Sequence, residues 1–159
     1  MFGKVRGVCP NCGFIHFIDP KVAVVVFIEE RIAEVPHVLL VQRANDPERG
    51  RWALPAGFVD RGEDPQIAAV REVGEETSLQ IATVGLLGIW RDASAVIVIG
   101  YTARVIGGTL CAADDALDAR WFNTDNLPPE ADLGFDSTRR LLSAWQQNGT
   151  LAHLPVGGS

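Results

Sequence analysis

Residues Gly57 to Leu79 read "GFVDRGEDPQIAAVREVGEETSL", and the reading of this stretch decides the fold. Asp64-Pro65 puts a capping carboxylate before a proline at the first helical position, which predicts a helix from there to about Ser78. At 100° per residue, Ile67, Val70, Val73, Gly74 and Thr77 share one side and Glu72, Glu75 and Glu76 share the other. The apolar side is expected on a sheet, and the glutamates are expected to face out together. A solvated helix face usually interleaves Lys or Arg at i±3 and i±4. Here the helical neighbours of Glu72 are Ala68, Ala69, Glu75 and Glu76, and those of Glu76 are Glu72, Val73, Leu79 and Gln80. Neither glutamate has a cation at helical spacing, and clustered like charge costs stability unless a divalent ion neutralises it. Oxygen-only ligands of this kind suit Mg²⁺ or Mn²⁺. Gly74, in mid-helix, costs about 1 kcal/mol relative to alanine and points to close approach of another backbone.

Outward from the helix, "KVAVVVFIEE" (Lys21 to Glu30) and "HVLLVQRA" (His37 to Ala44) read as buried strands in hairpin succession, separated by a polar, proline-containing turn. "NDPERGRW" is loop, and "WALPAGFV" a third strand in which Pro55 marks an edge or an end. "IATVGLLGIW" and "SAVIVIGYTARVIGG" form a strand pair, "LDARWF" a short strand, and Asp136 to Gln147 a last helix with Leu141, Leu142 and Trp145 on one side. The class expected is α+β, a mixed β-sheet flanked by helices. The 159 residues, 47% of them hydrophobic, suit one domain with a packed core. A net charge of −6 argues against nucleic-acid binding through a broad basic surface. No run is long and apolar enough for a membrane span, and "MFGKVRGVCPNCG" shows no signal-peptide h-region, so the expected compartment is cytoplasmic.

The helix stretch resembles the signature of the Nudix hydrolases: a glycine, five residues, a glutamate, seven residues, Arg-Glu, an aliphatic, any residue, Glu-Glu, any residue, a glycine and an aliphatic. These positions fall on Gly57, Glu63, Arg71, Glu72, Val73, Glu75, Glu76 and Leu79, with Ser78 in place of the second glycine, where the helix ends. The resemblance extends through "LLVQRA", "GRWALPAGFVD" and "DARWFNTDNLP", from about Pro20 to Trp145. It implies the Nudix fold, an α/β/α sandwich, over residues 20–150, with residues 1–19 a knuckle segment and 151–159 a flexible tail. It further implies hydrolysis of a nucleoside diphosphate linked to another moiety, by water attack on a pyrophosphate phosphorus with divalent ions screening the charge. By this likeness Glu72 and Glu76 are ligands of Mg²⁺ or Mn²⁺, Glu75 adds a ligand or holds a metal water, and a backbone carbonyl at Gly57 or Ala56 completes the set. Arg71 orients a glutamate, and Glu63 ties the loop to the helix or supports a metal indirectly. The general base is either a signature glutamate or a carboxylate on a later loop, for which Asp114, Asp115 and Asp118 are candidates beside the reading of a plain polar loop.

"CPNCGFIHFIDP" supplies two cysteines, Cys9 and Cys12, at zinc-knuckle spacing, where a structural zinc site needs four ligands. His16 is the nearest third candidate and Cys111 a distant fourth. The stretch resembles half of the zinc ribbon preceding some Nudix pyrophosphatases acting on NADH, FAD or ADP-ribose. Three readings stand: a vestigial knuckle, a zinc site completed by His16 and another residue, or two half-sites joined across a homodimer. For a nucleotide substrate, Phe17, Phe27, Trp52, Phe58, Trp90 and Tyr101 are candidate walls for a base. Of Arg43, Arg49 and Arg51, one is expected to reach a phosphate; Arg43, Arg51 and Trp52 are the substrate-binding candidates. ADP-ribose and dinucleotides lead as substrates, with oxidised nucleoside triphosphates behind them and a non-catalytic nucleotide-sensing module as the alternative class.

Overall fold

The computed structural model describes residues 6–148. A small antiparallel hairpin of β1 (Gly7–Val8) and β2 (Ile15–His16) precedes a seven-stranded mixed sheet. Its strands are β3 (Val22–Ile32), β4 (Val35–Arg43), β5 (Trp52–Ala53), β6 (Ala56–Phe58), β7 (Leu79–Arg91), β8 (Ile97–Gly108) and β9 (Ala116–Asn123). Helix α1 (Pro65–Thr77) lies between β6 and β7, and α2 (Asp136–Asn148) follows a short 3-10 turn at Glu130–Asp132. Within the sheet the β3–β8 pairing is parallel and the other strand pairings are antiparallel; an isolated parallel bridge joins Trp52 to Leu133.

Strand periodicity divides the core into two layers. On β3, Val24, Val26 and Ile28 pack with Ala68, Ala69 and Val73 of α1, while Val25 and Phe27 pack with Leu141, Leu142 and Trp145 of α2. On β4, Leu39 joins the α1 layer and Val38 and Leu40 the α2 layer. Both faces of the central strands are therefore covered, which explains their nearly continuous apolar sequence. The α/β/α sandwich expected from the sequence is the observed architecture. Trp145 is fully buried, and its indole N–H donates to the Glu29 carboxylate, fixing α2 on the sheet.

The turn between β3 and β4 is tighter than expected. It consists of Ala33 and Glu34, both at positive φ, and Pro36 lies within β4 opposite Arg31. Positive φ at both central positions matches the right-handed strand twist of a two-residue hairpin. Beyond this turn the two strands diverge. β3 pairs with β4 only at residues 29–32, and its earlier part pairs with β6 instead. The segment expected as a third strand is thus two short strands broken at Leu54-Pro55: β5 joins β4, β6 joins β3, and Val26 donates its N–H to the Pro55 carbonyl. This wedge between the strands is the platform on which α1 sits.

Helix α1 starts as the sequence predicts, with the Asp64 carboxylate accepting from Gln66 N–H and Pro65 in the first turn. Its buried face is a correction. Ala68, Ala69, Val73, Glu76 and Thr77 are buried, whereas Ile67 and Val70 are exposed. The packed face is rotated by about 100°, one residue, from the expected one, because the two alanines let the helix backbone approach the sheet closely. Gly74 also differs from expectation: a side chain there would meet the Leu79 carbonyl at an ordinary 3.7 Å, so no backbone approach requires glycine. The helix ends at Ser78, which adopts the left-handed conformation (φ 60°, ψ 11°) and donates its N–H to the Gly74 carbonyl. The expected tail, residues 151–159, lies outside the described residues.

Left-handed backbone strains a residue with a Cβ and not glycine. Ser78→Gly is therefore expected to stabilise the metal-free protein by about 0.5–1 kcal/mol, read as a raised midpoint in thermal or urea unfolding. A lowered midpoint would show that the serine is not strained.

Candidate active site

Arg71 organises the acidic cluster. Its guanidinium uses all five N–H donors of the fork. Nε and Nη2 bind Glu63 at 2.8 Å each, Nη1 binds Glu72 at 2.8 Å and Glu75 at 3.1 Å, and Nη2 also donates to the Phe58 carbonyl at 3.0 Å. The absence of a cation, expected from helical spacing for Glu72 and Glu76, is corrected for Glu72, whereas Glu76 has no ion pair among the described residues. The charge that compensates Glu72 is adjacent to it in sequence, and the same guanidinium also serves Glu75, one turn on, and Glu63. Glu63 also accepts from Asp60 N–H at 2.9 Å, so the loop before α1 is tied to the helix. The Arg71 hydrogen bonds, followed by that from Asp60, hold the Glu63 carboxyl down at about 2. Glu63 in turn holds the Arg71 guanidinium further in its charged form.

Glu72 leans on the wedge. A Cβ at Gly57 would lie 1.8 Å from the Glu72 Cδ, so the carboxylate occupies the space that any side chain at Gly57 would fill. A side chain at Gly57 would require the Glu72 carboxylate to move. Burial raises the Glu72 pKa, opposed by Arg71.

Glu76 does not face out with the others. It is 4% exposed, turned under α1, and its carboxylate accepts one hydrogen bond, from Ala56 N–H at 3.3 Å. Burial is the main cause that pushes its pKa up to about 8; the Ala56 N–H pulls it down, Glu72 raises it, Arg43 lowers it and Asp115 raises it. A buried carboxylate with one long hydrogen bond beside a second carboxylate is under-compensated in the absence of a cation. The all-oxygen donor set of Glu72, Glu75 and Glu76 has the hardness that Mg²⁺ and Mn²⁺ require, so these residues fit such an ion. With Arg71 bound to Glu72 and Glu75, no three His, Cys, Asp or Glu side chains among the described residues are gathered as a metal cluster.

The loop between β8 and β9 closes over the end of α1. Cys111 N–H donates to the Thr77 carbonyl and Ala113 N–H to the Glu76 carbonyl. Of the three aspartates considered there, Asp115 accepts from the Asn45 amide at 2.6 Å and acts electrostatically on Glu76. Asp118 pairs with Arg120, and Asp114 is exposed in a left-handed turn. Arg43 donates Nε to the Pro47 carbonyl and lies over the Phe135 ring at 4.9 Å, while its charge acts on Glu76. The other two substrate-binding candidates lie beside it, the Arg43 N–H donating to the Arg51 carbonyl. Arg51 pairs with Glu48 at 3.0 Å, and Trp52 packs edge-to-face on Phe122 in the α2 layer.

Among the aromatic candidates, Phe27 and Tyr101 are core, and Trp90 packs against the α2 layer, where its indole fills the space left by Gly100. Phe58 is different: it adjoins Gly57, is half exposed, and carries the Lys21 ammonium over its ring at 4.8 Å. Sequence reasoning missed Lys21 and Asn45. The pairing of β6 on the start of β3, which puts Ala23 opposite Phe58, was not visible in either strand alone. The knuckle cysteines lie in the β1–β2 turn, and neither His16 nor Cys111 joins them as a third ligand among the described residues. Cys111 sits instead at the end of α1.

Comparison with known proteins gives a concordant result. The NUDIX domain family model matches residues 19–145. The chain is 42% identical over 125 residues to the ADP-ribose pyrophosphatase of Methanocaldococcus jannaschii, covering 76% of this chain and 70% of that protein. It is 29% identical over 128 residues to the NAD-capped RNA hydrolase NudC of Vibrio vulnificus, covering 79% of this chain but 47% of that protein, so it spans about half the length of this relative. A crystal structure of a NUDIX hydrolase from Nitrosomonas europaea superposes with a TM-score of 0.80 at 28% identity, over 89% of this chain and 78% of that one.

The Glu76 geometry gives a stability signature. Its folded pKa, about 8, lies above the unfolded value of 4.5. The corresponding stability is fully present below 4.5 and is lost as pH rises towards 8. Glu76→Gln keeps an acceptor for Ala56 and removes the buried charge. In metal-free protein it is expected to match wild type at pH 4.5 and to exceed it at pH 8 by on the order of 1–3 kcal/mol, read by urea unfolding. A destabilised variant at pH 8 would contradict the placement.

Proposed function

The chain belongs to the Nudix hydrolase family, and on that premise we propose that it cleaves the pyrophosphate of a nucleoside diphosphate linked to another moiety, with ADP-ribose as first substrate and NADH or FAD behind it. The observation that carries this reading is the buried, under-compensated Glu76 beside Glu72, above the Gly57 wedge. The similarity to an ADP-ribose pyrophosphatase supports the choice of substrate. Mg²⁺ or Mn²⁺ held by Glu72, Glu76 and Glu75, with the Gly57 carbonyl, would supply Lewis acidity and a more acidic water.

The protein's own groups divide the remaining work. Arg71 and Glu63 are positioning residues: they hold Glu72 and Glu75 at fixed distances and lock the loop before α1 to the helix. Asp115, steadied by Asn45 and near enough to Glu76 to act on its charge, takes the proton of the attacking water as it adds to phosphorus. Arg43, its Nε anchored on Pro47, presents its two amino groups to the phosphate oxygens. Phe58 offers a half-exposed ring against which the nucleobase stacks once Lys21 moves aside. A purely nucleotide-sensing role has less support, because every carboxylate of the signature is present.

Chromatography of ADP-ribose, NADH, FAD, a dinucleoside polyphosphate and an oxidised nucleoside triphosphate incubated with the protein is expected to show AMP released from ADP-ribose, dependent on Mg²⁺ or Mn²⁺. No cleavage across this panel would overturn the enzymatic reading, and preferential cleavage of the oxidised triphosphate would replace the substrate. Asp115→Asn is expected to lower kcat by about 100-fold with KM little changed. Phe58→Ala is expected to raise KM roughly tenfold with kcat retained. The opposite assignment of the two effects would exchange or remove these roles.

A further inference from the structure

The hydrolytic site leaves the β1–β2 hairpin without a task. In its turn, Cys9 N–H donates to the Phe14 carbonyl at 2.8 Å, and Gly13 N–H returns to the Cys9 carbonyl at 2.9 Å. The second bond spans four residues, as in one turn of helix, and a turn of that kind brings Cα atoms three positions apart to roughly 5–6 Å, inside the range a disulfide needs. Gly13 closes the turn at φ 73°, and nothing approaches within 4 Å of where its side chain would be. Cys12 is exposed and Cys9 half-exposed. Among the described residues no third metal-ligating side chain joins them.

We propose that Cys9 and Cys12 are a reversible dithiol–disulfide pair, a modification site separate from the glutamate cluster, with a low-molecular-weight disulfide as its oxidant. The Cys9 sulfur attacks one sulfur of the small disulfide, forming a mixed disulfide and expelling one thiolate. The Cys12 sulfur then attacks Cys9, forming the internal disulfide and expelling the second. Two protein thiols become one protein disulfide, and one small disulfide becomes two thiols. The environment favours Cys9 as the first attacker: the N–H groups of Asn11 and Cys12, and then the Cys12 thiol, lower its pKa. The loop closed is short, so the bond constrains the unfolded chain little and is readily reduced again. The third cysteine, Cys111, sits alone at the end of α1 and serves as an internal control.

The test exposes the reduced full-length protein to glutathione disulfide, blocks remaining thiols with a maleimide and maps each cysteine by mass spectrometry. The expected result is loss of two hydrogens, with Cys9 and Cys12 protected together, Cys111 labelled, and full labelling restored by reduction. Cys12→Ser is expected to stop at the first step, with glutathione retained on Cys9. Equal labelling of all three cysteines would overturn the proposal. So would a lasting glutathione adduct on Cys9 or Cys12 in the wild type, or reduced protein in which bound zinc keeps both of these thiols from the label. Hydrolysis by Cys12→Ser at the wild-type rate is the control that the pair lies outside the catalytic machinery.

Discussion

A carboxylate buried with one long hydrogen bond costs free energy as an anion, and the arrangement of this molecule turns on where Glu76 is put. Divergence of β3 from β4 opens the sheet, the residues from Trp52 to Phe58 fill the gap, and the Ala56 N–H reaches Glu76 from that wedge. Two alanines on α1 allow the helix to descend far enough for this contact. Gly57 then leaves room for Glu72. Backbone geometry, small residues and charge are thus parts of one device: two carboxylates held near each other where water does not reach both. Such a pair is a poor element of a metal-free fold and a good one for a fold that holds a cation, which is the sense of the function proposed.

Arg71 keeps the device from flying apart. Acting at once on Glu63, Glu72 and Glu75, it offsets the repulsion that clustered acids would otherwise bring, and it leaves Glu76 outside its reach. The cluster is therefore graded. Glu63 is ionised far below neutrality, whereas Glu76 retains its proton near neutral pH without a cation. Chemistry that needs both a firm scaffold and a site avid for positive charge is served by that difference.

Much of the fold was legible because it follows from local rules. The Asp64-Pro65 helix start, the aliphatic strands and the apolar side of α2 each have a near-neighbour cause. What was not legible depended on contacts between distant segments. The apolar face of α1 was misplaced because Ile67 and Val70 look like core residues, whereas the small Ala68 and Ala69 make the contact. The proline near the first hairpin suggested a longer turn, but Ala33 and Glu34 complete it unaided. For the site, the spacing of Glu72, Glu75 and Glu76 was plain, but the burial of Glu76 was not. That burial requires knowing that Ala56 lies beneath it, a contact between residues 20 positions apart.

The central claim, that Glu76 is held for a divalent cation, is tested most directly by calorimetric titration of Mn²⁺ into metal-free protein, in buffers of different ionisation enthalpy at pH 7. A ligand carboxyl that carries a proton before binding must release it on binding. With Glu76 raised to about 8, binding is expected to release close to one proton, falling towards none above pH 9 and absent in Glu76→Gln. Mn²⁺ binding without proton release at pH 7, or release unchanged in that variant, would contradict it.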